Sequence, residues 1–371
     1  MGSSTSLRAI DVLVVGAGPA GATAALNLAP VRRVALIDRR SRPGPRIGES
    51  LPPAARRLLT DMRLWDSFAA ECHSPCYGNR ASWGSGQPTE TDFLRDPDGH
   101  GWHLDRARFE RWLRGIAEDR GASLLAPARI QSLYWDGERW SVKLATIAGT
   151  LDVNARVVID AGGRAAPIGR RAGAQRHRHD KLVCSWVCGE ASALGHGAGL
   201  TYVQAAEHGW WYTAPLPGGR RVLAFHTDPD VPEARALADP RLLVDRADGE
   251  LAAILAASRF RPTDELGVGA AHGAVLRPGA GPSWFAVGDA ALSCDPLSSQ
   301  GLLNALYTGL AAAEAADRTL SGDGEALPEY RQTLDQLHTA YRQQLTRCYR
   351  AEMRWSDAPF WKRRHVAPTH V

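Results

Sequence analysis

Short apolar runs set the frame of this chain. Val12–Val15 and Val34–Ile37 are continuous aliphatic blocks, the pattern of strands buried on both faces, and Ala20–Leu28 between them reads as a small-residue helix. Arg156–Asp160 and Trp284–Val287 repeat the buried-strand pattern, while Ser123–Leu125, Ala128–Trp135 and Trp140–Ala145 read as further strands. Lys181–Glu190, Leu200–Ala206, Trp210–Pro215 and Arg221–Thr227 carry aromatic and β-branched residues between Gly/Pro breaks, the signature of an antiparallel layer. Helical spacing covers Pro53–Phe68, Leu104–Arg120 (Asp105 as N-cap, with Phe109, Trp112, Leu113 and Ile116 on one face), Asp230–Ser258, Gly301–Leu320 and Leu327–Trp355.

The order of these elements predicts an α/β protein whose nucleotide-binding layer is interrupted by a second, mainly antiparallel sheet and then resumed. The expected divisions are 8–75, 102–180 and 271–325 for the nucleotide layer, and 76–101 and 181–270 for the substrate side. A C-terminal helical tail covers 326–371.

Between the first two strands lie Gly16, Gly18 and Gly21 in G-x-G-x-x-G spacing, with Pro19 and Ala20 opening the helix and Asp38 ending the second strand. Gly16 permits the tight turn, Gly18 lets backbone N–H groups approach a pyrophosphate, and Gly21 allows close helix–sheet packing. The helix N-terminus favours phosphate, and Asp38 stands where a ribose diol would be held. Strand, turn, helix, strand and acid all occur in register, which points to a dinucleotide.

Three more stretches fit the same ligand. Gly288-Asp289 ends a strand, and Asp295-Pro296 leads through Ser298, Ser299, Gln300, Gly301 and Leu302 into a helix with unpaired N–H groups. Arg106, at a helix start, is placed to clamp phosphate or ribityl oxygens. Asp160-Ala161-Gly162-Gly163 turns after a buried strand, bringing backbone close to a cofactor.

Composition narrows the classes. The 371 residues, 44% apolar, suffice for about two domains with a full core. The net charge of +4 is carried almost wholly by Arg, with Lys only at 143, 181 and 362. No basic helix interleaved with aromatics suggests nucleic acid, and no run suggests a membrane span or secretory signal. The six cysteines form no C-x-x-C pair, Cys184 and Cys188 read as core thiols, and a reducing cytoplasm is the expected setting. The run Arg176–Asp180 reads as a solvated loop and not a metal site, since clustered Arg repels cations.

Gly16–Gly21 with Asp38, Asp160–Gly163, and Gly288-Asp289 with Asp295-Pro296 resemble the three fingerprints of the para-hydroxybenzoate-hydroxylase-type FAD monooxygenases. Gly48-Glu49-Ser50, Gly209-Trp210-Trp211 and Asp295–Ser299 are similar to the branch that contains the flavin-dependent tryptophan halogenases. Gly78–Gly84 and Arg354–Trp361 resemble the LodB/GoxB-type flavoproteins of tryptophylquinone biogenesis.

The resemblance implies a discontinuous Rossmann-type FAD-binding domain with an inserted substrate sheet. Gly16, Gly18, Pro19, Ala20, Gly21, Asp38 and Arg39 would hold the ADP half. Arg46, Glu49, Ser50, Arg106, Ile130, Asp160, Ala161, Gly162, Gly288 and Asp289 would contact the remainder. Pro296, Ser298, Ser299, Gln300, Gly301 and Leu302 would line the isoalloxazine. The chemistry implied is a flavin C4a-hydroperoxide, formed from NADH or NADPH and O2, that hydroxylates tryptophan or another electron-rich ring, free or on a protein or peptide.

Trp83, Trp102, Trp210, Trp211, Tyr212 and His226 lie in segments expected to face that ring. Trp83 is named as a catalytic candidate, and His226, titrating near neutrality, as general base or substrate anchor. Halogenation fits less well. The halogenases use a lysine after the Gly-Glu-Ser segment, whereas the first lysine here is Lys143, and Trp210–Pro215 departs from their Trp-x-Trp-x-Ile-Pro motif. A flavin reductase, and a flavin-bearing chaperone that docks through Arg350–His365, are the other readings. The expected state is a monomer or weak homodimer.

Overall fold

The computed structural model describes residues 5–6, 10–192, 199–232 and 239–366. Its first layer is a parallel sheet with the strand order Ser123–Leu125, Val34–Ile37, Ile10–Val15, Gly149–Asp160 and Trp284–Ala286. The apolar blocks seen in the sequence are buried here on both faces. Gly149–Asp160 is longer than its apolar stretch predicts. Its first half pairs antiparallel with Trp140–Thr146, which pairs in turn with Ala128–Trp135. Helices Pro19–Leu28, Arg106–Asp119 and Gly301–Leu320 pack on this sheet and complete the main core.

The second layer is a seven-stranded sheet with the order Arg261–Ala270, Val183–Glu190, Arg220–Thr227, Gly209–Leu216, Leu200–Ala206, Gly78–Ser82 and Thr89–Asp92. All its pairings are antiparallel except that of Leu200–Ala206 with Gly78–Ser82. One face packs Val187, Tyr202, Trp211, Leu223 and Phe225 against Leu251 and Leu255 of helix Gly249–Ala257. On the other face Cys184, Ala205, Trp210 and Ala224 meet Tyr341, Leu345 and Tyr349 of helix Ala326–Ala351, and Phe360 and Trp361 of helix Pro359–His365.

Several expectations need correction. Pro53–Phe68 is two helices, Ala55–Asp61 and Trp65–Ala70, broken where Arg63 takes a left-handed φ of 58°. Of Asp230–Ser258, the described part is a 3-10 turn, Pro240–Leu242, and the helix Gly249–Ala257; residues 233–238 lie outside the described residues. The long C-terminal helix ends at Ala351, before Arg354 and Trp355. Arg176 lies on a strand, Gln175–Arg178, and its guanidinium donates to the carbonyls of Asp289 and Ala290, so that run is not a solvated loop. The Arg/Trp-rich tail packs back through Phe360 and Trp361, both wholly buried, with the Trp361 indole donating to Ala206 O at 2.9 Å, while Arg350, Arg354, Lys362 and Arg363 stay exposed. Among the described residues no helix is long and apolar enough to cross a membrane.

Candidate functional site

Three turns meet at the carboxyl ends of the parallel strands. A Cβ on Gly16, where φ is +106°, would lie 2.2 Å from Ala161 O, and one on Gly288 would lie 2.8 Å from the Ala20 Cβ. Only glycine allows this approach. A Cβ on Gly18 would touch nothing within 4 Å, and neither would one on Gly301. These two positions face open space at the N-termini of helices Pro19–Leu28 and Gly301–Leu320. The Asp289 carboxylate is 44% exposed, with Arg164 3.6 Å away as its ion-pair partner. Open backbone at two helix starts and an available acid suit a dinucleotide with an anionic bridge, so the residues present fit FAD.

Asp38 is half-buried and held rigidly. Its Oδ2 accepts from Ala17 N at 2.9 Å and from Arg114 at 3.1 Å, and its Oδ1 accepts from Arg40 N at 2.8 Å. Arg114 also donates to Ala17 O at 2.8 Å. Arg114, and Glu110 with it, are site residues that no motif in the sequence marked. Arg106, Glu110 and Arg114 are spaced i, i+4, i+8, which places all three on the inner side of one helix. That spacing was the available signal. Arg106 donates to the carbonyls of Ile47 and Gly48 at 3.1 and 2.6 Å and to Glu110 at 2.8 Å, which pins the Gly48 loop. Arg46 reaches Glu110 at 3.9 Å from an exposed position. Arg39 is exposed and Ile130 half-buried.

Asp160 does not face a ligand. It is wholly buried, and its oxygens accept from the backbone N–H groups of Gly162, Ile168 and Gly169 at 3.0, 2.8 and 2.9 Å. The carboxylate therefore braces the start of helix Pro167–Arg171, and the expected contact with ribityl or pyrophosphate oxygens is corrected. Glu49 is likewise turned away from the nucleotide layer. It is 2% exposed, one oxygen accepts from Gly48 N at 2.7 Å, and the other accepts from the Tyr212 hydroxyl on the second sheet. Ser50 Oγ lies 3.0 Å from that hydroxyl. Burial pushes the Glu49 carboxyl above its ordinary range.

Asp295 Oδ1 accepts from Leu297 N at 2.9 Å and caps the turn Pro296–Ser298. Its Oδ2 accepts from Tyr349 Oη at 2.7 Å. Burial, together with Asp180, pushes its carboxyl up to about 7. Ser298 Oγ donates to Asp295 O at 2.8 Å, Ser299 is left-handed with φ 52°, and Pro296, Ser299 and Gly301 are exposed. Gln300 is half-buried and Leu302 buried.

His226 is not a base poised near neutrality. It is 1% exposed and stacks on Trp210 with centroids 3.7 Å apart, and burial lowers its pKa to about 3. Trp83 is half-buried and its indole donates to Cys348 O at 2.7 Å. Trp102 belongs to the main core and Trp211 packs on the far face of the second sheet. Of the aromatic candidates, Tyr212 is the one hydrogen-bonded to the Gly48–Ser50 loop.

Known proteins resemble this chain in sequence and in fold. LodB of Marinomonas mediterranea, described as an FAD-dependent oxidoreductase, is 28% identical over 97% of this chain and 98% of its own. The myxobacterial chondrochloren halogenase CndH superposes with a TM-score of 0.86 at 24% identity, covering 98% of this chain and 87% of that one. The peptidyl tryptophan dihydroxylase QhpG superposes with a TM-score of 0.74 at 24% identity, covering 98% and 81%. These two structures share the fold. Residues 9–324, most of the chain, match the model of the FAD binding domain family, and the protein belongs to that family of FAD-dependent oxidoreductases.

Proposed function

We propose that this protein is an FAD-dependent monooxygenase that hydroxylates a tryptophan or another electron-rich aromatic ring, free or carried on a partner protein or peptide. NADH or NADPH is the reductant and O2 the oxidant. The observation that carries the reading is the aromatic wall packed beside the Gly48–Ser50 loop. There the second sheet presents half-buried Trp186 and Tyr212, with Ile47 and Leu297 packed at the same core clusters. Such a surface suits a planar apolar ring with one polar edge. Halogenation is disfavoured because that loop has no ammonium; the chain's first lysine, Lys143, lies on the outer antiparallel strands. LodB supports the oxidoreductase class, and QhpG, whose name records action on peptidyl tryptophan, suggests the substrate class.

Bound FAD would relay two electrons from the nicotinamide to O2, one of whose oxygen atoms then goes to the ring. Under this reading Gly18, the two helix N-termini, Asp38 and Asp289 hold and orient the cofactor. The Gly48–Ser50 loop, pinned by Arg106, and the second sheet exclude water from the ring.

The test incubates holoenzyme with NADH or NADPH, 18O2 and either free tryptophan or a tryptophan-containing peptide. The expected product carries one labelled oxygen on the indole. Absence of label from every aromatic substrate, with slow reoxidation of the reduced enzyme in air, would assign the protein to the reductase class instead.

A further inference from the structure

Glu49, Ser50 and Tyr212 form a hydrogen-bond circuit. Glu49 and Ser50 belong to the loop of the nucleotide layer, whereas Tyr212 comes from strand Gly209–Leu216 of the second sheet. The circuit therefore bridges the two layers between which a substrate ring has to lie. The Tyr212 phenol donates to Glu49, so its contact with Ser50 at 3.0 Å is one in which the serine hydroxyl donates. Tyr212 is half-buried, while Glu49 is sealed behind it at 2% exposure.

The halogenase motif has Trp where this chain has Tyr212. An indole N–H donates only, whereas a phenol both donates and accepts, so a chain with Tyr at this position gains a group able to pass a proton. Hydroxylation forms a C–O bond at a ring carbon and breaks the O–O bond of reduced dioxygen. The hydrogen on that carbon then leaves as a proton. The second oxygen departs as water, and the two electrons come from NADH or NADPH. A site that excludes water must provide the acceptor for that proton.

We propose that Tyr212 is the catalytic acid–base group of this hydroxylation and Glu49 its positioning proton partner. The Tyr212 Oη takes the ring proton as its own proton passes to the Glu49 carboxylate, while Ser50 fixes the phenol's orientation. The inference rests on the hydroxylase reading. The charged and titratable groups that act on the pair are Arg106, which favours the Glu49 carboxylate, Arg221, and the thiols of Cys76, Cys184 and Cys188, all pushed up by burial. Among the described residues, neither Arg221 nor any of these thiols hydrogen-bonds to the circuit.

The test compares wild type with Tyr212→Phe, Glu49→Gln and Ser50→Ala, all as FAD-loaded protein. Three measurements are made: infrared titration of the Glu49 carboxyl, 18O incorporation, and the fraction of O2 released as hydrogen peroxide as a function of pH. Tyr212→Phe removes one oxygen atom and is expected to keep its FAD. It should raise the midpoint of the Glu49 carboxyl band, because the carboxylate loses its donor. It should also lower labelled product about 100-fold, the scale of acid–base catalysis, with the consumed oxygen appearing as peroxide. Glu49→Gln should abolish the infrared band and flatten the acid limb of the hydroxylation profile, and Ser50→Ala, which keeps the Tyr212–Glu49 bond, should keep the band and lose less labelled product than Tyr212→Phe. If wild type incorporates label and Tyr212→Phe retains its rate and pH profile, the relay is wrong and the hydroxylase reading stands. If wild type incorporates no label from any substrate, both fall together.

Discussion

The backbone amide of Gly84 donates to the fully buried carboxylate of Glu352 at 2.8 Å, across 268 positions of sequence. Arg354 binds the same carboxylate through its backbone N–H and its guanidinium, and reaches Ser82 O at 3.2 Å. Trp83, between them, donates to Cys348 O. The two stretches that resemble the LodB/GoxB-type flavoproteins are thus one structural unit, a clamp joining the end of helix Ala326–Ala351 to the second sheet.

Glu352→Ala is expected to leave the Gly84 amide and the Arg354 guanidinium without their partner. Leaving a buried donor unsatisfied in this way costs about 1–3 kcal/mol, while Arg354, itself exposed, recovers part of its loss from water. The melting temperature should fall by several degrees, and proteolysis should open first near Gly84–Gln87 and Met353–Ala358. Burial works against the Glu352 carboxylate, but Arg354 and Gly84 outweigh it and hold its pKa below the ordinary value. This contribution is therefore present above the unfolded pKa and lost as pH falls through the folded one. A variant as stable as wild type would show that the clamp holds nothing.

Gly16→Ala and Gly18→Ala should fail differently. At Gly16 the added methyl would lie 2.2 Å from Ala161 O on a backbone with φ +106°, so soluble folded protein is not expected. At Gly18 the methyl meets no protein atom within 4 Å, so far-UV circular dichroism should be unchanged. FAD affinity should fall at least tenfold, read by flavin fluorescence on titration. Equal FAD affinity in Gly18→Ala would move the pyrophosphate away from this turn.

How much of this was legible in the chain depended on sequence distance. The Gly16–Asp38 unit is local: strand, turn, helix and acid follow one another, and the expected Asp105 cap forms, accepting from Arg108 N at 2.9 Å. The edge strand Arg261–Ala270 was not visible, because R-P-T-D-E-L-G-V-G-A has no alternation and carries Pro and two glycines, as edge strands tolerate. Asp160, Glu49 and His226 were expected at the site because of their type and neighbourhood. Their direction depends on groups that no local pattern supplies: the amides of Ile168 and Gly169, the hydroxyl of Tyr212 and the ring of Trp210.

Arg114→Met keeps the length and apolar stem of a side chain that is 5% exposed, but removes the donors to Asp38 and Ala17 O. Asp38 then keeps the Ala17 amide on Oδ2 and the Arg40 amide on Oδ1, and loses its charged partner. FAD affinity is expected to drop about tenfold, roughly the value of one charge-assisted hydrogen bond, while the secondary structure persists. Unchanged affinity would mean that Asp38 needs no such orientation to serve the cofactor.

His226→Phe separates structure from catalysis. Burial lowers the His226 pKa to about 3, against an ordinary 6.5, so the folded protein holds the ring neutral while the unfolded chain protonates it. Stability from this residue is complete above about pH 6.5 and is lost as pH falls toward 3. The expected slope is about 1.4 kcal/mol per pH unit for one proton. Absolute pH curves mix this with buried acids of opposite sense, since Glu49, Asp160, Asp180 and Asp295 are all raised by burial. The difference between variant and wild type isolates the histidine. Urea midpoints should therefore show a constant difference above about pH 6.5 and His226→Phe gaining on wild type with each step down from there to about pH 4.5, its ring still stacked on Trp210. Because His226 stays neutral throughout this range, the pH profile of hydroxylation above pH 6.5 should match wild type. A shifted profile would restore His226 as a participant in the chemistry.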